Sequence, residues 1–149
     1  MTRAWILPML FVLGGSVVAS GLILSGVPGE AAAVLLVFVL LAVVHSPLVF
    51  PRSIGALEAQ RRSVVDGWLV VFWRSGCRYC LRLCIRLGRS VRELYWVDIW
   101  RDSAGAAVVR VANDGDETVP TVVVRGWPYV NPALEWVREQ LGGNPASAG

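Results

Sequence analysis

Apolar positions along the chain follow two regimes. Over residues 4–25 (AWILPMLFVLGGSVVASGLILS) and again over 31–50 (AAAVLLVFVLLAVVHSPLVF) they run almost unbroken. The first fifty residues hold only two charges, Arg3 and Glu30. Each run is long enough to cross about 30 Å of hydrocarbon as a helix. The link between them, Gly26-Val27-Pro28-Gly29-Glu30, is a turn too short for anything but the tip of a helical hairpin. The pattern therefore predicts two transmembrane α-helices within residues 1–51. Arg3 precedes the first, Arg52, Arg61 and Arg62 follow the second, and the link has no positive charge. Positive flanks stay on the cytoplasmic side, which places both ends there, with Trp5 as an interfacial anchor. A cleaved signal peptide ending near Val17-Val18-Ala19 is the competing reading, and it leaves residues 52–149 on the same side. His45, at the inner end of the second run, reads as an interfacial residue reaching toward water.

Beyond residue 51 the pattern changes to short elements. Residues 52–67 form a polar connector, helix-compatible over 53–63, with Ser53 as its cap and Asp66-Gly67 as a turn. Trp68–Trp73 is an apolar, β-branched and aromatic run suited to a buried central strand. Arg74-Ser75-Gly76 breaks it, and a helix is expected from Cys77 to about Glu93. Cys80, Cys84, Leu87 and Val91 fall on its core face, and Arg78, Arg82, Arg86 and Arg89 on a solvated one. A strand over 94–99, a helix over 103–112, a polar loop over 113–117 and strands over 121–124 and 127–130 follow. Asn131-Pro132 supplies an N-cap and first residue for a last helix, 132–141. Gly142-Gly143 stops it, and 142–149 reads as a disordered tail. The order β-α-β-α-β-β-α predicts an α/β domain over 68–141, a mixed four-stranded sheet with flanking helices.

Composition refines this in two ways. The 55% hydrophobic content belongs mainly to the first fifty residues; the rest is an ordinary globular mixture with a small excess of Arg. That balance, without a basic run interleaved with aromatics, excludes nucleic acid as a partner. Every basic residue is Arg, and with the abundant Ala, Gly and Val this suggests a GC-rich bacterial genome, hence a bacterial inner (cytoplasmic) membrane. The three cysteines, Cys77, Cys80 and Cys84, lie within eight residues and do not form a dispersed disulfide framework. Clustered C-x-x-C reads as redox or metal chemistry. Zinc needs four ligands and the domain has no histidine, so no metal is expected. Cys84, one turn beyond Cys80, reads as a buried, inert thiol.

The chemistry concentrates in Arg74-Ser75-Gly76-Cys77-Arg78-Tyr79-Cys80, with Thr118-Val119-Pro120 entering a later strand. A cysteine at a helix N-terminus has its thiolate stabilised by unpaired backbone N–H groups and the helix dipole. Arg74 and Arg78 add positive charge. Cys80, one turn deeper, can attack a mixed disulfide formed on Cys77.

These residues resemble the glutaredoxin branch of the thioredoxin superfamily, over residues 68–141. The likeness rests on Cys77-Arg78-Tyr79-Cys80 and Thr118-Val119-Pro120. Val97-Asp98-Ile99, the Thr-Val-Pro-Thr-Val run and Asn131-Pro132 bring it nearest to actinobacterial mycoredoxins. The resemblance implies a thioredoxin-like (glutaredoxin) fold, Cys77 as nucleophile and Cys80 as resolving thiol. It implies a cis Pro120 facing Cys77, a Val119 backbone that pairs with substrate, and a binding surface of Arg74, Tyr79, Thr118, Val119 and Pro120. Arg78 between the cysteines and Glu117 before Thr118 depart from the family pattern. Gly126-Trp127-Pro128-Tyr129 stands where glutathione-using members carry Gly-Gly and an acidic pair, which favours mycothiol over glutathione as reducing co-substrate, with no bound cofactor. The expected function is a membrane-tethered thiol–disulfide oxidoreductase. Its partners are a low-molecular-weight thiol, disulfide-containing proteins near the membrane, and lipid. A redox sensor or adaptor without turnover, and a thioredoxin-like protein disulfide reductant, are the alternatives.

Overall fold

The structure is a computed structural model that describes residues 3–46 and 49–143. The chain divides into two units, residues 1–49 and 50–149.

In the first unit, α1 (Arg3–Leu24) and α2 (Pro28–Val44) are joined by a tight turn at Gly26, whose φ is +81°. The two helices pack closely where side chains are small. A Cβ added to Gly15 would lie 2.5 Å from Phe38 Cβ. Phe11 meets Phe38 edge to face at 6.5 Å between ring centroids. Serine hydroxyls in α1 are satisfied locally: Ser16 donates to Val12 O and Ser20 to Ser16 O, each at 2.8 Å. The His45 ring packs on Phe11 at 5.3 Å, and its Nδ1 lies 2.9 Å from Leu41 O, so its polar group has a partner within the helix end.

Among the described residues one helix, Trp5–Leu24, is long and apolar enough to cross a membrane by length and composition. The second expected span, 31–50, is revised. Its helix starts earlier, because Pro28 suits a first helical position, and it ends at Val44. Its 17 residues make about 26 Å, short of the usual ~20-residue span. Ser46 precedes a proline, a position that disfavours helix; Pro47 and Leu48 lie outside the described residues. Phe50 belongs to the second unit, where it stacks on Trp73 at 3.9 Å between centroids.

The second unit is built on a four-stranded mixed sheet of β1 (Leu69–Trp73), β2 (Leu94–Asp98), β3 (Thr121–Val124) and β4 (Trp127–Val130), in the order β2-β1-β3-β4. β1 runs parallel to β2 and antiparallel to β3; β4 is antiparallel to β3. β1 is central and buried along its whole length, as an unbroken apolar run requires, while β4 is an exposed edge. α3 (Ala56–Asp66) packs against α5 (Ser103–Ala112), and α4 (Arg78–Leu87) against α6 (Leu134–Gly142). The arrangement is the expected α/β, thioredoxin-like one.

Four local expectations change. The connector helix starts at Ala56, not Ser53; Ser53 instead bridges to Trp96, and its Oγ accepts from Trp73 Nε1 at 3.0 Å. The helix after Cys77 stops at Leu87, since Gly88 takes φ +58° and a 3₁₀ turn fills Gly88–Glu93. The last helix starts at Leu134, with no side-chain cap. Asn131 is no cap: it sits at φ +45° and donates its N–H to Pro120 O at 2.7 Å. Of the expected disordered tail, Gly142 ends α6 and 144–149 lie outside the described residues.

Candidate active site

Cys77 is the N-cap of α4, placed there by the turn Arg74-Ser75-Gly76 in which Gly76 adopts φ +78°. Its Sγ accepts the Cys80 N–H at 3.2 Å, a sulfur cap of one of the helix's unpaired donors. From the other side Val119 O lies 3.3 Å away, accepting from the Cys77 thiol. Val119 is held there at the head of β3, followed by the cis Val119–Pro120 bond. Thr121 Oγ1 donates to Thr118 O at 2.8 Å and ties the loop down. Cys77, Cys80 and Cys84 are all free of disulfide bonds.

The two thiols of the pair sit in opposed environments. Cys77, half-buried, is lowered to about 6, first by the hydrogen bond from the Cys80 thiol. The Cys80 and Tyr79 backbone N–H groups and the charge of Arg74 also favour its thiolate, against the cost of burial. Cys80, fully buried, is pushed far up, mainly by burial and then by the neighbouring Cys77. Burial also raises Cys84. One group is thus a ready nucleophile and the other a protonated thiol held beneath it.

A groove of about 550 Å³ opens over Cys77, lined among others by Arg74, Tyr79, Thr118 and Val119, and by Asp116 and Asn131. A second groove of about 280 Å³ shares Tyr79 and Asn131 with it and continues past Pro120 to Arg82 and Arg86. The Arg74 guanidinium stands over the Trp100 ring, 5.9 Å from its centroid.

No family model matches the chain. Two Mycobacterium tuberculosis proteins, from strains CDC 1551 / Oshkosh and ATCC 25618 / H37Rv and each bearing a provisional glutaredoxin name, are 36% identical to it over 79 residues. That stretch is 52% of this chain and 94% of each relative. The chain belongs to the glutaredoxin family.

The glutaredoxin unit brings every expected site residue to one place. Cys77, Arg74, Tyr79, Thr118 and Val119 line the first groove and Pro120 the second, while Cys80 lies under the surface. Arg78 differs from expectation. Its guanidinium donates to Tyr79 Oη at 2.9 Å and stacks on that ring at 4.8 Å, so it braces Tyr79, and Arg74 is the cation acting on Cys77. Glu117 is paired with Arg110 at 2.7 Å. Of Gly126–Tyr129, Gly126 and Pro128 face a cleft beside α3 and α5 and Tyr129 packs on Trp136 of α6, while Asn131 and Pro132 border the second groove. Sequence reasoning missed Asp116 and Asn131 as groove residues. An Asn before Pro reads as a helix cap, yet Asn also tolerates positive φ, the property used here.

Proposed function

We propose that this chain is a membrane-tethered thiol–disulfide oxidoreductase in which Cys77 attacks and Cys80 resolves. The observation that supports it most is the Cys77 sulfur, capping α4 beside Val119 O with its pKa lowered to about 6, so that it is mostly thiolate at neutral pH. The thiolate attacks one sulfur of a disulfide; a Cys77 mixed disulfide forms and the other sulfur leaves as a thiolate that takes up a proton. Once Cys77 is no longer an anion, its share in raising Cys80 disappears and Cys80 can lose its proton. Cys80 then attacks Cys77 Sγ, releases the second substrate thiol and leaves a Cys77–Cys80 disulfide. Two molecules of a small thiol, proposed as mycothiol with glutathione as the comparison, return the pair to dithiol.

The tether rests on the apolar α1 and on the outward apolar side chains of α2, including Leu36, Val37 and Leu40. Both are proposed to cross a bacterial inner membrane and leave the redox unit facing the cytoplasm, where thiols are kept reduced. The test is turnover of mycothiol and glutathione mixed disulfides by the detergent-solubilised chain and its Cys77→Ser and Cys80→Ser variants. Turnover that vanishes in Cys77→Ser is expected, and the faster thiol identifies the reducing system. A Cys80→Ser variant that keeps its rate shows a monothiol route. Equal rates in wild type and Cys77→Ser would overturn the assignment.

A further inference from the structure

The gap between α3 and α5 leaves an apolar cleft of about 660 Å³, floored by Val70 and Val123 and walled by Val64, Val108, Val111 and Pro128. Its rim stands in solvent: Val64 is 88% and Val111 86% exposed, and Val65 next along α3 is 86% exposed. Trp127, in the hairpin beside the cleft, is 72% exposed. Most charges on this face are satisfied. Glu58 is held by Arg61 and Arg62, and Asp66 accepts from the Trp68 N–H and the Tyr95 hydroxyl. Arg125 is the exception. It lines the cleft, and among the described residues no carboxylate lies within ion-pair distance of it, Glu139 of the adjoining pocket included. It also holds the first position of the two-residue turn between β3 and β4 at φ +49°, a left-handed conformation that Asn or Gly adopts at lower cost. Arg in that place puts a long cation at the mouth of the cleft.

An apolar cleft with an unpaired guanidinium at its mouth suits an amphiphile with an anionic head. Resting on the membrane-tether reading, we infer that this face of the redox unit lies on a bilayer and that the cleft takes an anionic phospholipid. The phosphate pairs with Arg125, for which a guanidinium is well shaped, and the upper acyl segment enters the cleft. Val64, Val65, Val111 and Trp127 enter the interface, a depth that tryptophan favours. Two other occupants match less well. Residues 144–149, NPASAG, hold no large apolar side chain to fill the cleft. A second copy adding to the β4 edge meets Pro128, which offers no N–H. The tether itself favours lipid. Residues 45–49 separate the end of α2 from the start of the redox unit, so that unit meets a membrane at high effective concentration, and a weak contact suffices. The cleft shares no lining residue with the Cys77 groove, and Val70 and Val123 pair toward the end of the sheet away from Cys77. Lipid held there leaves the thiolate open to its substrates.

The test places the full chain, one copy per disc, in nanodiscs of phosphatidylcholine with or without phosphatidylglycerol. In a Cys77→Ser/Cys80→Ser background, Val111→Cys carries an environment-sensitive fluorophore. Arg89→Cys, at an exposed position just past α4, carries it as the control. Emission from the Val111 position should shift to the blue and be quenched by a nitroxide on the upper acyl chain, and the control should show neither. Quenching should be stronger with phosphatidylglycerol. There Arg125→Gln should lower the docked-to-free ratio roughly fivefold, the scale of one cation at an anionic surface, and Arg125→Lys should restore most of it. Arg125 is an exposed turn residue, so neither variant puts folding at stake. No quenching in either lipid, or quenching equal in Arg125→Gln and wild type, overturns the lipid site while leaving the tether standing. A blue shift that needs two copies per disc and shows no nitroxide quenching makes a second copy the occupant and also overturns it. A chain that leaves the discs in high salt overturns the tether beneath it.

Discussion

At Cys77 the cap hydrogen bonds, the Cys80 thiol and Arg74 all act on one sulfur, and burial opposes them. The sign of the net effect is checkable. Only the thiolate is alkylated, so iodoacetamide reactivity should rise as pH climbs through about 6 and level off near neutrality, where an ordinary thiol is still mostly protonated and its rate still climbing. Replacing Arg74 with Gln removes one of the favouring influences and should move that midpoint upward. Cys84, raised by burial, should stay unlabelled throughout. A single midpoint near 8.5 for all three thiols would contradict this account of the site. The residues that this chemistry uses were legible because Cys77 to Cys80 and Thr118 to Pro120 are contiguous, and helix-terminus physics acts on neighbours. Arg78 lines the Cys77 groove on the solvated face, and it has a further contact that is equally local: Tyr79 beside it offers a ring face and a hydroxyl, and the guanidinium takes both. Asp116 and Asn131 reach the groove through the placement of their loops beside β3, which no sequence spacing encodes.

Among the elements, strand and helix identities followed from periodicity, and the ends did not. The start of α3 is set by a residue from another element. Asp102 caps α5 through Oδ1, which accepts from Ala104 N at 2.9 Å and Gly105 N at 3.1 Å, and its Oδ2 accepts Ala56 N–H at 2.6 Å. One carboxylate thus fastens the first turns of two helices 46 positions apart in sequence, which is why Ser53 was not needed as a cap. Asp102→Ala removes a cap and a charge-assisted bond together and should cost about 2–3 kcal/mol. Asp102→Asn keeps an acceptor for α5 but turns an N–H toward Ala56 N–H, so an intermediate loss is expected. Urea titrations followed by tryptophan fluorescence order the three proteins; an Asn variant as stable as wild type would mean that Oδ2 contributes nothing to α3. Gly88 illustrates the same limit on reading ends. The apolar period continues past it to Val91, yet its φ of +58° forces the change from α to 3₁₀.

For the whole molecule the consequential quantity is the number of membrane crossings. Composition alone gave two spans, and the helix lengths separate them: α1 passes on length while α2, at 17 residues, is short. The difference decides the compartment. If α1 crosses alone with Arg3 inside, the redox unit emerges on the outer side; if α2 also crosses, it returns to the side of Arg3. Two features favour the return. The last charge before Arg52 is Glu30, in the first turn of α2 by the connecting turn, so the body of α2 offers nothing to hold it in water. Arg52, Arg61 and Arg62 then follow, the flank that resists translocation. A short span is accommodated by local thinning at a modest cost per ångström of mismatch, whereas a helix that is apolar beyond its first turn exposes its outer face if left in water. Cys77 provides the readout, being the accessible thiol of the three. A membrane-impermeant maleimide added to intact spheroplasts should leave the chain unlabelled, and labelling should appear once the membrane is permeabilised. Labelling of intact cells would place the unit outside, in a compartment where disulfides persist. There the Cys77 thiolate meets oxidised partners, and the proposed reduction by a cytoplasmic thiol would lose its electron source.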